Sequence, residues 1–344
     1  MEHKTLTDLL PFPAVQCCCV SQSSDKCEAD HGLYDPFRIE RPVIDAHTHI
    51  FPPPLMNAVW RFFEQHYWPV VYKQTYEHSQ VDILIDRGVH HVVLLQYAHK
   101  NGIARGLNEY MHKTVERMNA KYGRSVATGL ATVMPGEPDA EPILVEAFEK
   151  YGLAGVKLHS HVQVIQPNDP RMDPIYRVCT RYKKPVLIHA GREPNSRAHK
   201  KDAKDLCHVD FVRDVLDRFP DLVLCIPHLG FNETTEYMNL LRQYPNLYLD
   251  TTMQLGRVWP AIQGSTTDDE FEVLFREFAD RILYGTDFPQ LPNAWYSEYR
   301  NLAVRNLWKV SEENLDKILY KNAIRLYGID LGEKEPRRDI VSTL

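Results

Sequence analysis

The sequence lacks several features that would assign the chain to a particular class of protein. No apolar run approaches the roughly 18 residues that a membrane-spanning helix needs, so we expect no membrane helix. Positive charge is not in excess, because 40 Lys and Arg stand against 46 Asp and Glu, for a formal net charge of -6. We therefore expect neither nucleic acid nor an anionic membrane as a partner.

The N-terminus also lacks the pattern of a secretory signal. Glu2 and Asp8 stand where a basic region would be, and two prolines interrupt the short apolar run. Residues 1–40 show no clear periodicity, so we expect an irregular N-terminal extension followed by one large domain over 41–344.

The cysteines do not suggest a disulfide framework, since their number is odd at seven. Cys179, Cys207 and Cys225 lie singly within or beside predicted elements, as is typical of buried thiols in a cytoplasmic protein. The other four lie in the extension, at Cys17, Cys18, Cys19 and Cys27. A metal site there stays open as an alternative, but adjacent cysteines cannot easily all face one ion, which favours a non-catalytic segment.

From residue 41 onward, short apolar runs alternate with longer segments of helical spacing. The runs predicted as strands cover 43–47, 89–96, 126–133, 155–158, 185–189, 222–227, 247–250 and 282–284. The segments predicted as helices cover 55–63, 107–118, 143–151, 172–182, 209–219, 235–244, 271–278 and 311–327, the last with Ser311 as its N-cap. Eight strand–helix units predict an α/β fold, the (β/α)₈ TIM barrel. An open doubly wound sheet is the structural rival, but the glycine-rich phosphate loop that would favour it is missing.

The first predicted strand leads into His47 and His49. Residues two apart in a strand point to the same face, so the two imidazoles project side by side. Neutral imidazole is the commonest protein ligand of zinc and similar ions, so the pair could form half of a metal site. By itself the pair is weak evidence, because such side chains are often only hydrogen-bonded.

Other strands also end in residues that could bind a metal. The fourth carries Lys157, the fifth ends in His189, the sixth in His228 and the eighth in Asp287. The carboxyl ends of barrel strands form the active site in this fold, so these side chains should converge. Each alone could be a hydrogen-bonded core residue, but buried together they would all need partners, which a metal ion supplies.

This combination of motifs resembles the amidohydrolase superfamily of metal-dependent barrels. It consists of His-x-His on the first strand, histidines that end the fifth and sixth strands, and Gly-Thr-Asp on the eighth. It is most similar to the amidohydrolase-2 branch, which includes aminocarboxymuconate-semialdehyde decarboxylase and hydrolases of lactones and amides. The resemblance covers about residues 41–330. It is specific for fold and metal dependence and poorly specific for substrate.

The resemblance implies one divalent ion with four ligands, His47, His49, His189 and Asp287. Nitrogen and carboxylate ligands suit zinc, with manganese or iron as alternatives. His228 would be the catalytic histidine. In relatives with two metals a carbamylated lysine of the fourth strand bridges the ions and the sixth-strand histidine becomes a ligand, so Lys157 leaves the number of ions open.

Two reactions fit this set of ligands. The first is hydrolysis of an amide, ester or lactone bond of a small anionic substrate through a metal-activated water, with Asp287 and His228 as candidate proton acceptors. The alternative is non-oxidative decarboxylation of an aromatic or enoic acid. A non-catalytic metal-binding protein is the third possibility.

The loops after the strands offer candidate substrate contacts. Arg192 could grip a carboxylate or phosphate, whereas Lys200 and Lys201 are typical of a solvated loop. Tyr97, His99, Lys100, His159 and His161 are the other polar candidates. Phe51, Trp60 and Phe63 could line an apolar pocket, although Trp60 and Phe63 are three apart and could instead be helix core. The sequence leaves the oligomeric state open.

Overall fold

The computed structural model describes residues 41–66, 77–193, 200–256, 266–289 and 298–332. The predicted extension at 1–40 and its four cysteines lie outside the described residues. The strands are β1 (Ile44–His49), β2 (His91–Leu95), β3 (Ala127–Gly129), β4 (Val156–His159), β5 (Val186–His189), β6 (Leu224–Ile226), β7 (Leu247–Asp250) and β8 (Ile282–Leu283). Each corresponds to one of the predicted strands.

The strands form a closed barrel, and the closure explains how distant parts of the chain share one site. Parallel pairing runs continuously from β1 to β3 and from β4 to β8. A parallel bridge between Ala131 and Val156 joins the two sheets on one side, and a bridge between Thr48 and Phe288 joins them on the other. The predicted TIM barrel is therefore confirmed, and the open sheet is excluded.

The helices lie between the strands and cover the barrel. They are α1 (Pro53–Gln65), α2 (Glu77–Asp86), α3 (Ala104–Tyr122), α4 (Ala140–Glu149), α5 (Ser160–Gln163), α6 (Asp173–Tyr182), α7 (Ala203–Cys207), α8 (Val209–Arg218), α9 (Thr234–Gln243), α10 (Asp268–Glu277), α11 (Glu312–Asp316) and α12 (Asn322–Tyr327). A π-helical turn at Lys317–Lys321 joins α11 to α12, and the Ser311 side chain caps α11 by accepting from the Asn314 N–H at 3.3 Å. Among the described residues, no helix has the length and apolar character to cross a bilayer.

Three helices were not predicted. α2 precedes β2, while α5 and α7 lie in the connections after β4 and β5. The helices α5 and α7 span four and five residues, too few to show a helical repeat in the sequence.

β3 is shorter than predicted. At its end a Cβ on Gly129 would lie only 2.4 Å from Met111, so this glycine lets α3 pack closely on the strand.

Apolar side chains of several strands meet in one buried cluster, to which β1 contributes Ile44 and Ala46 and β5 contributes Leu187. His189 lies two positions beyond Leu187 and shares its face. In β1, Ile44 and Ala46 differ in parity from His47 and His49, yet the register against β2 shifts between Asp45 and Thr48. This irregularity allows one strand to supply both apolar core residues and the two histidines.

The three cysteines within the described residues are free and buried, as predicted. They are Cys179, Cys207 and Cys225. Burial raises the pKa of each thiol, so all three are protonated at neutral pH.

Candidate active site

The ends of β1 and β8 bring three metal-type ligands together. His47 Nε2 lies 3.2 Å from His49 Nε2. Asp287 Oδ1 lies 3.5 Å from His47 Nε2 and 3.2 Å from His49 Nε2. We call His47, His49 and Asp287 the first cluster. Ligands of one zinc ion at about 2.1 Å with tetrahedral angles lie about 3.4 Å apart, so the residues present fit a divalent ion.

The charge states of the first cluster also suit a cation. Burial lowers the pKa of His47 well below its ordinary value, and the nearby Lys157 lowers it further. Burial lowers the pKa of His49 in the same direction. Burial acting alone would raise the pKa of Asp287, but its hydrogen bond and attraction to His49 outweigh that effect and hold this pKa well below the usual range. The cluster therefore offers two neutral imidazoles and one carboxylate at neutral pH.

Asp250, the last residue of β7, orients His47 of the first cluster through a hydrogen bond. Its Oδ2 lies 2.8 Å from His47 Nδ1, so that nitrogen carries the proton and Nε2 is left as the ligand atom. Its Oδ1 accepts the backbone N–H of His228 at 3.0 Å and the Thr252 hydroxyl. Asp250 is not among the predicted site residues, although it ends a predicted strand as the other polar candidates do.

His228 follows β6 in an unusual backbone conformation. Its φ is 59°, and the next three residues, Leu229, Gly230 and Phe231, also have positive φ. A Cβ on Gly230 would lie 2.1 Å from the Tyr237 ring, so only glycine fits there. This turn places the His228 ring 5.7 Å from that of His47.

The protonation of His228 follows from its partners. Nδ1 lies 3.2 Å from the Thr252 carbonyl oxygen and 2.9 Å from its hydroxyl oxygen. Because a carbonyl only accepts, Nδ1 carries the proton and Nε2 holds a lone pair. Burial is the main cause that lowers the pKa of His228 to about 4, and the nearby His189 contributes to the same shift. The ring is therefore neutral at pH 7.

Lys157 is fully buried, and its Nζ lies 3.4 Å from His47 Nε2. Burial lowers the pKa of Lys157 to about 8, against the opposing attraction of Asp250 and Asp287. The ammonium therefore loses its proton more readily than an exposed lysine would.

His189, expected from the resemblance to bind the same ion as the first cluster, lies in a neighbouring group. The ligand atoms of His161, His189 and Glu193 all lie within 4.8 Å of one another. The ligand atoms of His47, His49 and Asp287 form a separate group that meets the same limit. We call His161, His189 and Glu193 the second cluster. The His189 and His228 ring centroids are 5.0 Å apart, so His228 contacts both groups.

Aromatic rings line the side of the site near His49. The Tyr97 ring centroid lies 5.6 Å from that of His49, and 4.9 Å from those of both Phe51 and His159. Phe51, Met56 and Trp60 form a buried apolar cluster against which Phe63 packs in part. Trp60 therefore lies on the buried face of α1 and also packs in the apolar cluster next to these aromatic rings.

The remaining predicted contacts lie farther out. Arg192 is 40% exposed, and its Nε pairs with Glu233 Oε1 at 3.0 Å. His99 is exposed on the loop after β2, and Lys200 and Lys201 are exposed as expected of a solvated loop.

Comparison with known proteins assigns the chain to a family. The amidohydrolase family model matches residues 44–329. The chain belongs to the amidohydrolase family. Among curated proteins, none matches it.

Solved structures share the fold at low sequence identity. An uncharacterised TIM-barrel protein from Bordetella bronchiseptica is 20% identical, with a TM-score of 0.61 over 83% of this chain and 98% of that chain. A 5-carboxyvanillate decarboxylase from Novosphingobium aromaticivorans, with manganese and a nitrobenzoic acid bound, is 16% identical, with a TM-score of 0.56 over 84% and 96%. A probable 2-pyrone-4,6-dicarboxylic acid hydrolase from Acinetobacter baumannii is 16% identical, with a TM-score of 0.53 over 83% and 99%.

Family and site together identify a metal-dependent enzyme. The fold and the family that the resemblance implies are confirmed.

Proposed function

We propose that this amidohydrolase hydrolyses an amide, ester or lactone bond of a small anionic substrate. The observation that carries the proposal is the neutral His228, whose Nε2 holds a lone pair next to the first cluster. A divalent ion held by His47, His49 and Asp287 would activate water and polarise the scissile carbonyl. Zinc is our candidate ion, and manganese, bound in the decarboxylase structure, is the other.

The protein residues supply orientation and proton transfer. Asp250 fixes the tautomer of His47 and positions the His228 backbone, so metal ligand and base share one buried support. His228 Nε2 then accepts the proton of the attacking water. Asp287 is the second candidate acceptor, but its low pKa makes it the weaker base.

An anionic substrate is supported by the buried cation of Lys157, which lies beside His47. Attraction to Asp250 and Asp287 opposes the lowering of the Lys157 pKa by burial, and a charged Lys157 would attract a carboxylate. Arg192 is a candidate for the outer part of the site, where Glu233 holds its guanidinium in place. Tyr97, His99 and His159 stay candidate contacts.

Decarboxylation of an aromatic acid is the second candidate. The aromatic wall formed by Phe51 and Tyr97 next to His49 favours it, because a planar ring could stack there.

The free buried thiols fit a reducing compartment such as the cytoplasm.

The test is a screen of the metal-loaded enzyme against amides, esters, lactones and aromatic acids, with acid release and carbon dioxide release measured in parallel. Hydrolysis supports the proposal. Carbon dioxide release without any hydrolysis would replace it with decarboxylation.

For the active substrate, His228→Asn should lower kcat by about 100-fold or more, as expected for the loss of a general base. The base works only when unprotonated, and the pKa of His228 is about 4. The wild-type kcat/KM should therefore stay level as pH falls through 6.5 and decline only below about 5. A decline centred near about 6.5 would show that an ordinary histidine limits the reaction.

A further inference from the structure

Two polar side chains at the carboxyl end of the barrel make no hydrogen bond within the part of the chain that the structure describes. Tyr97 follows β2, and its hydroxyl has no partner there. His159 is the last residue of β4, and its ring also lacks a hydrogen bond, although Nδ1 is buried. A buried polar atom without a hydrogen bond is costly, so a ligand that supplies one should bind here.

The two rings hold each other in a fixed orientation. Their centroids lie 4.9 Å apart, with an angle of 70° between the planes. The Tyr97 ring also packs against Phe51 at 4.9 Å and 72°, and the His159 ring stacks on His189 at 4.2 Å and 8°. Because each ring has aromatic neighbours on two sides, the direction of its polar group is restricted.

One buried amide holds the backbone beside both rings. Gln163 is 5% exposed, and its Nε2 donates to the carbonyl oxygens of Ala98 and Val133, both at 2.9 Å. Its Oε1 accepts the backbone N–H of His159 at 3.0 Å. Since Ala98 directly follows Tyr97, this side chain ties the loop after β2 to the end of β4. The two rings are therefore preorganised before any ligand binds.

We propose that the Tyr97 hydroxyl and the His159 imidazole together bind the carboxylate of a planar substrate. The hydroxyl has one donor, and the imidazole has at least one N–H donor in either protonation state. Two donors suit the two oxygens of one carboxylate, and hydrogen bonds to a charged group are stronger than those between neutral groups. The rings of Phe51 and Tyr97 offer an apolar surface to the planar part of the same ligand.

The location of the pair connects it with the first cluster. The Tyr97 ring centroid lies 5.6 Å from that of His49. Burial raises the pKa of Tyr97, and the charge of Asp287 raises it further, so the hydroxyl stays a donor at neutral pH. This inference rests on the proposed function in one respect, the anionic substrate, and it specifies that substrate as a planar carboxylic acid.

The test measures the binding of benzoate and benzamide to the metal-loaded, full-length protein by isothermal titration calorimetry. The two probes share a planar ring and differ in charge. Tyr97→Phe should weaken benzoate binding by about 10-fold and benzamide binding by less than about twofold, because only the carboxylate forms a charged hydrogen bond. His159→Phe keeps a ring for stacking and removes both nitrogens, so it should also weaken benzoate binding.

Tyr176→Phe is the matched control, at a tyrosine of α6 whose hydroxyl does have a protein partner. Tyr176 is fully buried, and its hydroxyl donates to the Pro167 carbonyl oxygen at 2.7 Å. Its loss leaves that carbonyl unpaired, so the urea midpoint should fall while benzoate binding is unchanged. Tyr97→Phe should keep the wild-type midpoint. A fall as large as that of Tyr176→Phe would give the Tyr97 hydroxyl a structural role and overturn the inference.

The binding results decide the inference without turnover. Unchanged benzoate affinity in both Tyr97→Phe and His159→Phe would overturn it, as would a wild type that does not bind benzoate. Equal losses for benzoate and benzamide would also overturn it, since the pair would then not recognise the carboxylate.

The two proposals can fail separately. Weakened benzoate binding in the variants of an enzyme that hydrolyses nothing would support the carboxylate site and overturn the proposed hydrolysis. Hydrolysis together with unchanged benzoate binding would do the reverse.

Discussion

Buried histidines occur at both ends of the barrel, and their partners differ. At the amino end, His91 begins β2 and is fully buried, with Nε2 2.9 Å from the Thr128 hydroxyl and Nδ1 3.5 Å from that of Ser125. At the carboxyl end, His47 and His49 face each other and a carboxylate. Hydroxyls can donate or accept as needed, so His91 is satisfied within the protein. The opposed imidazoles are best satisfied by a cation.

Residue type and burial alone do not reveal a functional histidine. Position along the strand does, because loops after the carboxyl ends can surround a ligand while the amino ends are closed by packing. Three substitutions test this difference, in order of decreasing effect on turnover.

Asp287→Asn should have the largest effect. An amide is a poor metal ligand, so the first cluster should lose its ion, and kcat should fall by about 1,000-fold or more. Metal analysis and steady-state kinetics measure both. Asp280→Asn, at an exposed acid outside the site, is the control, and equal activity of the two variants would contradict the assignment of the carboxyl end.

Asp250→Asn should have an intermediate effect. One carboxylate oxygen serves His47 and the other serves His228, and an amide has only one oxygen to accept both. We expect zinc affinity or kcat to fall by about 10- to 100-fold, as is usual for partners of metal ligands. Competition with a chromophoric chelator gives the affinity. An unchanged affinity together with an unchanged kcat would remove Asp250 from the site.

His91→Gln should leave kcat within about twofold, since the amino end of the barrel contributes to stability. Burial lowers the pKa of His91 to about 4, below its unfolded value of about 6.5. As pH falls between these values the unfolded chain binds the proton first, so stability is lost. The wild type should therefore lose about 2 kcal/mol more than the variant from about pH 7 to about pH 5.

Denaturant unfolding at the two pH values measures this difference. Equal losses in both proteins would show that His91 does not contribute to acid sensitivity.

The fold could be predicted to a large extent because each strand is a short apolar run followed by a helical repeat. The prediction placed β7 at its observed bounds, Leu247–Asp250. It missed α2 because residues 77–86 carry only a weak helical repeat. It also could not show the register shift in β1, since that depends on pairing with β2.

The candidate site could be predicted only where strand ends carried an obvious metal ligand. His47, His49 and Asp287 come together as expected. The grouping of His189 with His161 and Glu193 was not predicted, because it depends on how the loops after β4 and β5 fold toward each other. The role of Asp250 was hidden for another reason, since it acts through His47 and His228.

The bridge between Thr48 and Phe288 closes the barrel between its first and last strands, and the first cluster spans that seam. Asp45 reinforces it by accepting the backbone N–H of Thr286 at 3.1 Å, 241 residues farther along the chain. A nascent or truncated chain that lacks β8 therefore has neither the seam nor the third ligand. Metal binding at the first cluster therefore requires that synthesis has passed β8 and that the first and last strands of the barrel have paired.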